Sequence, residues 1–103
     1  MPYEIELERD FDSGLDRYVI TVEDGFDSHD ADKLGEWMTA AALNPTAAFT
    51  LDATHVRPGR RAPLERLFAR IARLRERVYV VRRGVAAKAP FVVGFAGGLP
   101  VLG

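Results

Sequence analysis

Apolar and polar residues alternate strictly near the start of the chain. From Tyr3 to Glu8 the sequence is YEIELE, in which glutamates separate the apolar residues. This alternation predicts a strand with one buried face and one solvent-facing face. A turn at residues 12–14 precedes a more apolar run, residues 18–22 (YVITV). The short connection predicts that the two strands form an antiparallel pair.

Two helical patterns follow, with a third strand between them. In the first, Ala31, Leu34 and Met38 recur at helical spacing after Asp27 or Ser28, either of which can cap a helix. Asn44-Pro45 is expected to end this helix, and residues 48–54 are predicted to form the third strand.

The second helical pattern begins near Pro63 and carries two stripes. Its apolar stripe consists of Leu64, Leu67, Phe68, Ile71 and Leu74. Its basic stripe consists of Arg66, Arg70, Arg73 and Arg77, which are three or four residues apart. Residues 78–81 (VYVV) are then predicted to form a fourth, buried strand.

The segment after Val85 has the weakest pattern. Residues 89–103 carry no charged side chain, but glycine and proline interrupt them and they are too few to span a membrane as a helix. A helix over residues 90–96 and a strand over residues 91–95 both fit, and the helix is slightly favoured.

The order β-β-α-β-α-β predicts one α/β domain that covers residues 1–103. Right-handed crossovers make the later strands parallel, whereas the first strand is added antiparallel. The apolar stripes of the helices are expected to pack on this mixed sheet.

The composition of the chain excludes several kinds of chemistry. The chain has no cysteine, which excludes disulfides, thiolate catalysis and cysteine-based metal sites. The alternating amino terminus does not resemble a signal peptide, so a soluble cytoplasmic protein is expected.

Residues 1–54 contain 13 acids and 3 bases, whereas residues 55–103 contain 11 bases and 2 acids. We expect these two halves to pack together; an exposed binding face is the alternative interpretation.

Candidate binding residues cluster between the third strand and the second helix. Arg57, Arg60 and Arg61 lie in this turn, which contains no acid, serine or cysteine, and Arg66 lies in the helix that follows. In α/β proteins such turns commonly bind ligands, because they combine the carboxyl end of a strand with the amino end of a helix. The pattern favours binding of an anion or an acidic partner over catalysis.

Other residue patterns give little support to an enzyme. His29 and His55, the two histidines, lack the spacing of metal ligands, and Ser13 and Ser28 fall in a turn and at a helix cap. We therefore expect no catalytic residues, no metal and no cofactor.

The chain resembles the STAS domain, the module of bacterial anti-sigma factor antagonists and of the cytoplasmic tails of anion transporters. The resemblance covers most of the chain. It rests on YVITVEDGFDSHDADKLGEWM (residues 18–38), similar to the family's second strand and first helix, and on FTLDATHV (residues 49–56), similar to its third strand with a Leu51-Asp52 pair.

The resemblance implies a regulatory domain that binds a protein, with no enzymatic activity of its own. In the antagonist branch, a kinase that is itself the anti-sigma factor phosphorylates a Ser or Thr in the loop before the second helix. In that motif an Asp precedes the phosphorylated residue. Here the position of the Asp is occupied by Arg60 and the position of the hydroxyl by Arg61. The implied partner is an acidic protein face or an anti-sigma-factor-like kinase, without a phosphorylation switch at this position.

Three alternatives remain at this point. The first is a small-molecule or lipid carrier with an apolar cleft lined by Trp37, Phe91 and Phe95. The second is nucleic-acid binding through the arginine stripe, which the isoelectric point of about 6.1 makes a minor alternative. The third is a homodimer in which the acidic half of one molecule meets the basic half of another.

Overall fold

A five-stranded mixed sheet carries the helices of this α/β domain. The structure, a computed structural model, describes residues 2–82 and the backbone of residues 85–88. The strands are β1 (Tyr3–Asp10), β2 (Leu15–Val22), β3 (Ala47–Asp52), β4 (Val78–Arg82) and β5 (Val85–Lys88). The α-helices are α1 (Ser28–Ala41) and α2 (Ala62–Arg70), and two short 3-10 helices cover Pro58–Arg60 and Ala72–Arg77.

The strands lie in the sheet in their order along the chain. β1 pairs with β2 antiparallel, β2, β3 and β4 are parallel, and β5 returns antiparallel to β4. Because both crossovers advance in the same direction, right-handed connections place α1 and α2 on the same face of the sheet. The predicted mixed sheet, with its first strand antiparallel, is confirmed.

Local sequence explains where α1 begins. The Asp27 carboxylate accepts a hydrogen bond from the Asp30 backbone N–H (2.9 Å), and the Asp30 carboxylate accepts one from the Asp27 N–H (3.0 Å). This reciprocal capping box satisfies two of the N–H groups that a helix start leaves without an intrahelical acceptor. In the hairpin between β1 and β2, Gly14 adopts a φ of 74°, a left-handed conformation that glycine tolerates without strain.

The core lies between the helices and one face of the sheet. Alternate residues of β3, namely Ala47, Phe49 and Leu51, are buried, whereas the residues between them are half-exposed. The same buried cluster contains residues of the two helices and of the position that ends α2: Leu34, Met38, Leu67 and Ile71. The apolar stripes predicted for both helices therefore pack as expected.

One prediction about the second half of the chain is wrong, and one strand was missed. The helical stripe from Arg66 to Arg77 is not continuous, because α2 ends at Arg70 and residues 72–77 form a tighter 3-10 helix. The strand β5 was also not predicted. The helix or strand expected within residues 90–96 lies outside the described residues.

Gly35 sets the distance between the two helices. It is buried in α1, and a Cβ atom at this position would lie 3.2–3.4 Å from atoms of the Arg70 side chain in α2. The missing side chain therefore allows Arg70 to lie directly over α1. This close approach brings the basic helix α2 beside the first two turns of α1, where Asp32 forms the ion pairs described below.

Candidate functional site

The arginine loop, residues 57–61, lies beyond the carboxyl end of β3. It includes the first 3-10 helix and leads directly into α2. The segment that precedes it is held by contacts with the rest of the fold: the Ala53 N–H donates to the Val81 carbonyl (2.9 Å), and Val56 is buried. The loop therefore projects from a fixed base, next to the connection between β2 and α1.

Asp24 ties the arginine loop to that neighbouring connection. Its carboxylate accepts hydrogen bonds from the Arg57 backbone N–H (3.0 Å), Nε (2.9 Å) and Nη2 (2.7 Å). Its backbone carbonyl accepts a hydrogen bond from Arg60 Nε (3.2 Å). The hydrogen bonds from Arg57 lower the pKa of the Asp24 carboxyl below its ordinary value of 3.8, and the same pairing raises the pKa of Arg57.

Arg60 and Arg61 are the basic groups of the loop that remain available to a partner. Arg60 is exposed and bonds to Asp24 through Nε, whereas the Arg61 guanidinium makes no hydrogen bond or ion pair with any described residue. Arg61 also occupies the N-cap of α2, where no side chain accepts a hydrogen bond from the helix N–H groups. An incoming carboxylate or phosphate would therefore meet two guanidinium groups and an uncapped helix start.

Arg66 is already paired within the molecule. Its Nε and Nη2 donate to the two carboxylate oxygens of Asp32 at 2.8 and 3.0 Å, the fork-to-fork geometry of a bidentate pair. Arg70 Nη1 lies 3.4 Å from the same carboxylate. The bonds from Arg66 lower the pKa of Asp32, and the pairing raises that of Arg66.

The remaining arginines of the predicted basic stripe do not form a continuous surface. Arg77 turns inward and donates to the carbonyls of Ala42 (3.0 Å), Asn44 (2.6 Å) and Ala47 (3.0 Å). Arg73 lies on the 3-10 helix and is exposed. The arrangement expected of a nucleic-acid-binding stripe is therefore interrupted by internal ion pairs and hydrogen bonds.

Trp37 lies in an aromatic cluster on the core side of the sheet. Its ring meets Tyr18 edge to face at a centroid distance of 5.1 Å and Phe49 at 6.3 Å. Two shallow grooves in the described part of the chain are lined by other residues. Phe91 and Phe95, the other predicted cleft residues, lie outside the described residues.

The residues considered for catalytic or metal-binding chemistry lie at exposed positions. His29 and His55 are both exposed, and the Ser13 hydroxyl accepts a hydrogen bond from the Leu15 N–H. No cluster of three or more potential metal ligands occurs among residues 2–82. None of the helices in this part of the chain has the length and apolar character that a membrane crossing requires.

Asp24 and Asp32 are the site residues that sequence reasoning did not select. The only available signal was the opposite charge of the two halves of the chain, which predicts that acids and bases meet without saying which ones.

Comparison of the chain with protein-family models, curated proteins and solved structures found no match. The resemblance to the STAS domain therefore stays a prediction from sequence.

Proposed function

We propose that this chain is a non-enzymatic, regulatory protein-interaction domain whose arginine loop binds an acidic group of a protein partner. The observation that carries the proposal is the placement of Arg60 and Arg61 at the uncapped start of α2. Both arginines belong to a loop that Asp24 fixes from the neighbouring connection. A loop that is already fixed loses less conformational entropy when it binds a partner, which favours affinity.

The internal pairs refine the set of binding residues. Arg57 and Arg66 were predicted to contact the partner together with Arg60 and Arg61. Because Asp24 and Asp32 already bind Arg57 and Arg66, these two arginines support the surface while Arg60 and Arg61 contact the partner. This division assigns recognition to two neighbouring side chains.

The resemblance to the STAS domain supports the same class of function. The two segments that carry the resemblance, residues 18–38 and 49–56, fall on β2 with α1 and on β3. Since an arginine occupies the position of the phosphorylated hydroxyl, we propose that binding is regulated by something other than phosphorylation of this loop. An anti-sigma-factor-like kinase with an acidic docking face is one partner of the proposed kind, in the cytoplasm.

The carrier alternative has no comparable support. Trp37 contacts Tyr18 and Phe49 through ring edges and faces, so its ring contributes to the packed core face of the sheet. We therefore propose a single function, the interaction domain.

Affinity capture from the native cell extract tests this function. The bait is the full chain, compared with an Arg60→Ala/Arg61→Ala variant and with an Arg73→Ala/Arg75→Ala variant, which removes the same charge from exposed positions on the 3-10 helix. We expect a stoichiometric protein partner to be retained by the parent and the control and lost by the first variant. Equal capture by all three baits would contradict the proposal.

A further inference from the structure

β1 forms an edge of the sheet, and its outer side is unpaired among the described elements. It is 8 residues long, and its pairing with β2 runs without interruption from Tyr3↔Val22 to Asp10↔Leu15. Proteins usually protect such an edge with a bulge, a proline, an inward-pointing charge or a covering segment. The continuous register excludes a bulge within β1, and the strand itself contains no proline.

The hydrogen-bonding groups that face this edge can be identified from the register. The Glu23 N–H donates to the Pro2 carbonyl (2.7 Å), which continues the pairing by one step. Because bonded and non-bonded pairs alternate in an antiparallel ladder, the N–H and C=O groups of Tyr3, Ile5 and Leu7 point away from β2. These groups are available to another strand.

The two faces of β1 differ sharply in chemistry. Glu4, Glu6 and Glu8 are exposed on the open face of the sheet, and none of their three carboxylates is hydrogen-bonded or ion-paired to a described residue. On the helix side, Leu7 is 49% exposed, and Phe11, in the turn after the strand, is 89% exposed. A shallow groove of about 560 Å³ follows residues 3–6 along the same strand.

We propose that the outer edge of β1 binds an extended segment of a partner protein in which basic and apolar residues alternate. Main-chain hydrogen bonds to a sheet edge provide affinity, and alternate side chains provide specificity. Lysine or arginine on one side of the added strand would face the three glutamates, and apolar residues on its other side would face Ile5 and Leu7. This surface is separate from the arginine loop. It selects a basic segment, whereas the arginine loop selects an acidic group.

A second copy of this chain does not fit the same edge. In an antiparallel pair of two β1 strands, the glutamates of one copy would face those of the other, and like charges directly opposite each other destabilise a sheet. The same row of glutamates therefore excludes self-association and attracts a basic strand.

The test uses the full chain and a fluorescent peptide of alternating lysine and valine, about eight residues long to match β1. We expect saturable binding that weakens about tenfold in a Glu4→Gln/Glu6→Gln/Glu8→Gln variant. A matched variant, Glu36→Gln/Glu65→Gln/Glu76→Gln, removes the same charge from α1, α2 and the second 3-10 helix and should bind like the parent. An equal loss in both variants would overturn the proposal, because it would show non-specific attraction.

Backbone pairing is tested with two N-methylated peptides. One carries methyl groups on the valine nitrogens and the other on the lysine nitrogens, so each loses the donors along a single edge. Strand addition predicts that one peptide binds like the parent and the other fails to bind, and which one fails reports the strand direction. Equal binding by both peptides would overturn the proposal, as would a stable dimer whose β1 amides are protected from exchange.

Discussion

Two aspartates connect the acidic and basic halves of the chain at the level of single residues. Asp24 accepts hydrogen bonds from Arg57, and Asp32 accepts hydrogen bonds from Arg66. Arg57 lowers the pKa of the Asp24 carboxyl, and Arg66 lowers that of the Asp32 carboxyl, in each case below the ordinary value of 3.8. A lowered pKa means that folding favours the charged form, so both carboxyls stabilise the fold only while they are ionised.

Stability should therefore fall in acid. The contribution of a carboxyl with a lowered pKa is fully present above its unfolded pKa and is lost as the pH falls through the folded value. We expect the free energy of unfolding to decline as the pH is lowered below about 5, with the decline continuing below 3.8. Urea unfolding at a series of pH values measures this profile.

Asparagine variants assign the acid dependence to these residues. An Asp24→Asn/Asp32→Asn variant should be less stable at neutral pH and show a shallower decline in acid. Asp12→Asn, at an exposed position in the hairpin, is the matched control and should keep the profile of the parent. Parallel profiles for the parent and the double variant would show that the pairs contribute nothing to acid sensitivity.

At the level of elements, Arg77 joins the 3-10 helix to the connection between α1 and β3. Its guanidinium donates to three carbonyls of residues 42–47, and α1 has no basic residue in its own last turn. The planar guanidinium can bind several carbonyls at once, and its charge complements the carboxyl end of the helix. The 3-10 conformation of residues 72–77 brings this side chain into place.

Arg77→Ala is expected to destabilise the protein by about 2–3 kcal/mol, because it removes charged hydrogen bonds from partly buried carbonyls. Arg77→Lys should recover part of the loss, since an ammonium retains the charge but not the planar fork. Arg75→Ala, at an exposed position two residues away, should stay within about 0.5 kcal/mol of the parent. Denaturant unfolding compares the three, and equal effects of the two alanine variants would contradict the role assigned to Arg77.

The elements also show how far the sequence predicts the structure. Local patterns located β1 to β4 and both helices, because alternation, helical spacing and caps act within a few residues. The end of α2 was missed, since the spacing of Arg70, Arg73 and Arg77 fits a continuous helix until the carbonyls that bind Arg77 are known. β5 was missed because its residues, VAAK, carry no clear alternation.

At the level of the whole molecule, the opposite charges of the two halves meet in the pairs Arg57–Asp24, Arg66–Asp32 and Arg70–Asp32. Salt screens exposed pairs of this kind. We expect the melting temperature to fall modestly between about 0.05 M and about 0.5 M sodium chloride. The Asp24→Asn/Asp32→Asn variant should show a weaker dependence, and a melting temperature of the parent that does not change with salt would contradict this prediction.

The candidate site was only partly predictable from the sequence. The position of the arginine loop followed from the order of strand, turn and helix. The sequence did not show that Arg57 and Arg66 are paired within the molecule while Arg60 and Arg61 remain available. This pairing depends on contacts with Asp24 and Asp32 across more than 30 residues of chain. Such contacts form only when the fold brings α1, α2 and the connections that precede them together.

The central claim is that Arg60 and Arg61 bind the partner and contribute little to folding. The most direct test measures, for the parent and for Arg60→Ala/Arg61→Ala, both the free energy of unfolding and the affinity for the captured partner. We expect unfolding within about 0.5 kcal/mol of the parent and an affinity about tenfold weaker or more. A variant that folds like the parent and binds the partner as tightly would contradict the account.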